Sequence, residues 1–128
     1  MAIKDFEVGE TAYLMNFHGR MPNENTTTID EVVVTSVGKK YVKVKYPKFS
    51  YEDSFYHWDI DDPYLTEKAG CGTKNYLFCS RQAIDKYKER KELSRWIYNK
   101  VQYIKENQYS VEQFREIKRI LENPKKGE

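Results

Sequence analysis

The densest group of chemistry-bearing residues in the chain is His57-Trp58-Asp59-Ile60-Asp61-Asp62. On a strand, Asp59 and Asp61 would project from one face, and with His57 beside them they could hold a hard cation, as in metal-dependent nucleases. No second acidic cluster and no lysine motif accompanies the group. Asp-rich ends of strands are commonly solvated turns, so neither a catalytic residue nor a resident metal or cofactor is expected. Cys71 and Cys79 stand in CGTKNYLFC, a spacing that is neither a C-x-x-C redox pair nor a zinc knuckle. With His18 and His57 they reach no close ligand spacing, and they read as reduced, structural thiols.

Three groups of residues could instead bind. The first is Lys39, Lys40, Lys43, Lys45 and Lys48, interleaved with Tyr41 and Tyr46. Lysines beside an aromatic on a hairpin face contact phosphates and stack a base, which makes Lys39, Lys40, Tyr41, Lys43 and Lys45 a nucleic-acid candidate. The competing reading is edge protection against strand pairing, and the nearby Glu52, Asp53, Asp59, Asp61 and Asp62 would weaken a phosphate field. The second group, Tyr41, Tyr46, Phe49, Tyr51, Phe55, Tyr56 and Trp58, could cage a methylated amine or a proline-rich peptide. Filling the interior of a small barrel is the plainer role for such side chains. The third group lies on a helix: Trp96, Asn99, Lys100 and Tyr103 make a strip nearly opposite the main apolar stripe. That places them either against a second helix or facing a partner, since aromatics flanked by cations are enriched at interface hot spots.

Several elements must position these groups. Val8-Gly9-Glu10 reads as a turn before a first strand at Thr11–Met15, and residues 16–28, rich in Gly, Pro and Asn, read as a long loop. Ile29 to Tyr46 reads as a hairpin turning at Gly38-Lys39. In it Val42, Val44 and Tyr46 alternate with Lys43 and Lys45, while Val33, Thr35 and Val37 share one face and Val32, Val34 and Ser36 the other. A fourth strand carries Phe55, Tyr56, Trp58 and Ile60 and ends at Asp61-Asp62-Pro63. Gly70 and Gly72 make a further turn, and Tyr76-Leu77-Phe78 closes a barrel of five strands.

At Ser80 the period changes. Ser80 is a natural N-cap, and the stretch from Arg81 to about Asn107 has no Gly or Pro, predicting an amphipathic helix of about seven turns. Ser110-Val111-Glu112-Gln113 is a capping box that opens a second helix, with Phe114, Ile117 and Leu121 on one face before Pro124. The fold expected is therefore α+β: a five-stranded SH3-like β-barrel over residues 1–79, a two-helix hairpin over 80–123 packed on the barrel, and a charged tail over 124–128, all one compact unit.

A chain of 128 residues with 11 Tyr, 6 Phe and 2 Trp has enough large side chains for a core without metal or disulfide staples. The start, MAIKDFEVGE, has acids and no apolar signal core, and no run approaches the roughly eighteen apolar residues of a membrane span. A cytoplasmic protein with no membrane partner is expected. Net charge is +2, but residues 1–80 hold 9 Lys/Arg against 12 Asp/Glu, and residues 81–128 hold 13 against 8. That imbalance suggests a charged partner for one half.

Four stretches, FEVGETAYL (Phe6 to Leu14), VVTSVGKKYVKV (Val33 to Val44), YLFCSRQAIDKYKERKEL (Tyr76 to Leu93) and YSVEQFREIKRILE (Tyr109 to Glu122), carry a resemblance. The chain resembles a family of small proteins of Firmicutes and their phages and mobile elements, with an SH3-like barrel followed by helices. These motifs are structural. The resemblance implies an accessory protein that binds a host protein or ribonucleoprotein, such as an inhibitor of a CRISPR effector or another defence nuclease. A nucleic-acid-binding barrel and a small metal-dependent hydrolase or nuclease are the alternatives. No sequence feature sets the oligomeric state.

Overall fold

The computed structural model describes residues 2–18, 26–68 and 73–125. Its elements are a 3₁₀ turn (Ile3–Asp5), strands β1 (Thr11–Phe17), β2 (Thr27–Val37), β3 (Val42–Lys45), β4 (Asp53–Tyr56), β5 (Leu65–Glu67) and β6 (Tyr76–Phe78), and helices α1 (Arg81–Val101) and α2 (Val111–Glu122). Each strand pairs with its neighbours in sequence, and β6 pairs back onto β1, closing an antiparallel barrel without free edges. The α+β class expected from the sequence holds, but the barrel has six strands rather than five.

The additional strand is β5. Its three residues carry no readable period, and their strand character comes from pairing: Phe55 and Tyr56 face Glu67 and Thr66, while Leu65 and Thr66 face Leu77 and Tyr76. The strand expected to run to Ile60 stops at Tyr56 because the Asp59 carboxylate accepts the Asp61 amide at 3.0 Å and the Asp59 carbonyl accepts the Asp62 amide at 3.0 Å. That Asx turn competes with the ladder and carries Trp58 and Ile60 out into solvent.

Alternation on β3 follows the sequence: Val42 and Val44 are buried and Lys43 is exposed. On β2 the expected alternation fails halfway. Register shifts between Val34 and Ser36, so Ser36 faces Lys43 and Val37 faces Val42. Thr35 is the extra residue of a β-bulge, which turns Val37 toward the core it packs against and leaves Ser36 exposed. Phe55, Leu65, Leu77, Val32 and Ala12 fill the rest of the interior, with Phe6 from the segment before β1.

The expected loop over 16–28 is shorter at both ends. Phe17 pairs with Thr27 and Asn16 with Thr28. Residues 19–25, the turn at Gly70 and Gly72, and Cys71 lie outside the described residues; Cys79 is a free thiol. On the outer face of β1 and β6, Met15 and Phe78 are buried as well. Tyr64 stacks on Tyr76 at 3.8 Å and leans on Phe78 at 5.7 Å, while Arg81 lies over the Tyr13 ring at 5.0 Å and pairs with Glu31 at 3.8 Å.

The chain divides into two units, Met1–Asp85 and Lys86–Glu128. Ser80 caps α1 as expected, its Oγ accepting the Ala83 amide at 3.1 Å. The helix ends at Val101, short of Asn107. Past Val101 the Tyr103 and Ile104 amides reach back only three residues, and the Lys105 amide donates to Oε1 of Gln108 at 3.3 Å, so a side chain takes over where the ladder stops. In α2 the capping box forms: Ser110 Oγ accepts from the Gln113 amide and Gln113 Oε1 accepts from the Ser110 amide. Among the described residues, no helix is long and apolar enough to cross a membrane.

Candidate partner-binding surfaces

The helical unit presents apolar surface that its own fold does not cover. Trp96 is 63% exposed, Ile97 49%, Val101 46% and Tyr103 77%, and α2 holds no buried residue. The Lys100 ammonium lies 6.0 Å from the Trp96 ring centroid, and Asn99 is exposed beside them. Trp96, Asn99 and Lys100 thus share the helical surface expected of them. Tyr103 does not continue that strip along the helix: it sits in the turn after Val101, its amide donating to the Lys100 carbonyl at 3.2 Å. Leu121, expected on an apolar packing face of α2, is 67% exposed, while Phe114 and Ile117 are half-buried. Tyr109 meets Phe114 edge-on at 5.8 Å and anchors the start of α2.

On the barrel, the seven aromatics considered as a cage or a core separate. Only Phe55 is fully buried in the interior, and Tyr46 is half-buried against that core. Aliphatic side chains of the strands fill most of the remaining space, and the other rings form two groups. Tyr46, Phe49 and Tyr51 form one, with centroid distances of 6.0 and 5.6 Å. Tyr41, Tyr56 and Trp58 form the other, at 5.9 and 6.4 Å.

Register explains the second group. Because Val42 and Phe55 are paired and point inward, the residues next to them, Tyr41, Lys43, Ser54 and Tyr56, point outward. The Lys68 amide donates to the Ser54 carbonyl at 2.8 Å, which sets Lys68 beside Ser54 with Lys43 on the other side. The ammonium groups of Lys40 and Lys68 lie 5.4 and 4.8 Å from the Tyr41 centroid. Of the sequence-predicted basic set, the structure thus joins Lys40, Tyr41 and Lys43. Lys39 is exposed in the turn and Lys45, half-buried, lies opposite Val33. Lys68 was invisible to sequence reading because only long-range pairing of β4 with the end of β5 brings it here.

The acidic group behaves as a turn. Asp59 and Asp61 do not share a strand face, and among the described residues no cluster of three or more His, Cys, Asp or Glu side chains could hold a metal ion. Burial, followed by the neighbouring charge of Asp59, pushes the Asp62 carboxyl above the ordinary carboxylate range. His57 Nδ1 is buried without a hydrogen-bond partner among the described residues.

The sequence that forms the barrel and the helices is matched by a known family. The family model described as the phage ProQ C-terminal-like domain covers residues 1–124. The chain belongs to this family. Membership in the phage ProQ C-terminal-like family makes it a phage-associated domain, as the resemblance of its motifs had implied. No match was found among the curated proteins or the solved structures.

Proposed function

We propose that this phage-family domain is a non-enzymatic binding protein whose helical unit docks on a host protein, acting stoichiometrically. The observation that carries the reading is the exposure of Trp96 and Tyr103 together with Ile97 and Val101 on one short stretch of chain. Large apolar side chains exposed in such number are costly to leave in water and mark protein interaction sites, and tryptophan and tyrosine are among the side chains most often found at their energetic centres. The net positive charge of the C-terminal half complements an acidic surface on the partner and speeds encounter with it. A host defence nuclease, a CRISPR effector among them, is the most concrete partner, met at an acidic patch of its surface rather than in its basic nucleic-acid groove, and such binding needs no catalytic residue on the inhibitor.

The test is affinity capture with the full chain from a phage-sensitive host, followed by mass spectrometry and a binding titration. Wild type is expected to retain one host protein in a fixed ratio. Trp96→Ala and Tyr103→Ala are each expected to weaken that binding by about 2 kcal/mol or more with thermal unfolding unchanged, because both rings are already in solvent. Capture of nucleic acid alone, or equal capture by the variants, overturns the proposal.

A further inference from the structure

We infer that the outer face of β3 and β4 is a second binding site, for single-stranded nucleic acid, in which Trp58 and Tyr56 stack bases and Lys40, Lys43 and Lys68 hold the phosphates. The rings are already arranged for this. Tyr41, Tyr56 and Trp58 follow one another at 5.9 and 6.4 Å across the barrel surface, and Trp58, at the open end, is 69% exposed.

The cations are arranged as well. Lys40 and Lys68 converge on the Tyr41 ring from two different parts of the chain, and among the described residues neither they nor Lys43 pair with a carboxylate. A lysine whose only role was to keep an edge from pairing would have no need of this position, because β3 is already paired on both sides within the closed barrel. Holding two ammonium groups over a π face, rather than against an acid, keeps their charge available to an anion. Asp59, Asp61 and Asp62 follow Trp58 in the chain and repel phosphate at that end. The backbone of a bound strand is therefore directed along Lys40, Lys43 and Lys68, with its bases toward Tyr56 and Trp58. Stacking on rings combined with a basic track is the chemistry of sequence-tolerant single-strand recognition; a duplex keeps its bases stacked on one another and offers the rings nothing.

The site is independent of the host-protein surface, and its test requires no host protein. Binding of labelled oligouridylate, oligodeoxythymidylate and a duplex of equal length to the full chain is measured across a salt series. The expected result is that one or both single strands bind more tightly than the duplex, the stronger arm identifying RNA or DNA as the ligand. Trp58→Ala is expected to weaken single-strand binding about 5- to 100-fold while leaving the salt slope unchanged. Lys40→Ala and Lys68→Ala are each expected to lower the slope of log affinity against log salt by about 0.7. All three side chains are exposed, so thermal unfolding should stay at the wild-type value and reports directly if a variant is misfolded. Absence of single-strand binding, a duplex bound as tightly as the single strands, or wild-type binding by Trp58→Ala and Lys68→Ala overturns the inference.

Discussion

The Tyr46 hydroxyl donates to Asp30 Oδ2 at 3.1 Å, and Asn16 Nδ2 donates to the same carboxylate oxygen at 3.2 Å and to the Tyr46 oxygen at 3.1 Å. This half-buried triangle ties β1, β2 and the end of β3 together. Burial first, and then the Asp30 carboxylate, push the Tyr46 phenol up from its ordinary value to about 12. Because the folded value lies above the unfolded one, the triangle's contribution to stability is complete below about pH 10 and is lost as pH rises through the folded value. A tyrosinate absorbance titration should therefore show a late step near pH 12 that Tyr46→Phe removes. Asp30→Ala leaves two donors without their acceptor and should cost about 1 to 2 kcal/mol in denaturant unfolding. It should also bring the late step down, though still above the ordinary tyrosine range because burial persists. The inward direction of Tyr46 was legible from its alternation with Lys45. Its partners were not: Asp30 is sixteen residues away in the chain, and Asn16 read as part of a loop.

Elements were legible where the signal that makes them is local. Both helix starts were readable at Ser80 and Ser110 because an N-cap is a bond between residues three apart, and both caps form. The end of α1 was not readable, since residues beyond Val101 keep helical propensity and only the competing Gln108 side chain ends the ladder. β5 and the bulge at Thr35 were hidden for the same reason as Lys68: each exists through pairing across the barrel rather than through its own sequence. The capping box of α2 has a measurable consequence. The helix has 12 residues and no buried side chain, so little tertiary packing compensates for a lost cap. Ser110→Ala should destabilise α2 by about 1 kcal/mol. Far-ultraviolet circular dichroism should show reduced helix content at moderate temperature while the tertiary signal of the barrel aromatics is retained. Gln113→Ala should have a smaller effect in the same direction, because it removes only the reciprocal bond to the Ser110 amide.

At the scale of the whole molecule, apolar burial is divided unequally. The interior of the barrel contains Val32, Val34, Val42, Val44, Phe55, Leu65 and Leu77, each with almost no exposure, while the only buried residue of α1 is Ile84, on the barrel side of the division at Asp85, and α2 has none. Stability in a native chain follows such burial, and segments with few buried apolar contacts open at little cost. Native-state hydrogen exchange should therefore separate the two units. Amides of β2, β3 and β4 should exchange only through global unfolding, and those of α2 and the last turns of α1 close to their unprotected rates. Phe55→Ala, which leaves a cavity in the barrel, should lower the protection of the strands by about 3 to 5 kcal/mol without altering the already fast exchange of α2. A partner engaging Trp96 and Tyr103 would reverse the contrast. Docking buries the apolar faces that now meet water, so protection should rise across residues 93–122 in the complex and stay constant in the barrel. Loosely held helices that gain order on binding would also account for a family domain leaving so much tryptophan, isoleucine and leucine surface in solvent: ordering and burial are deferred to the moment of association.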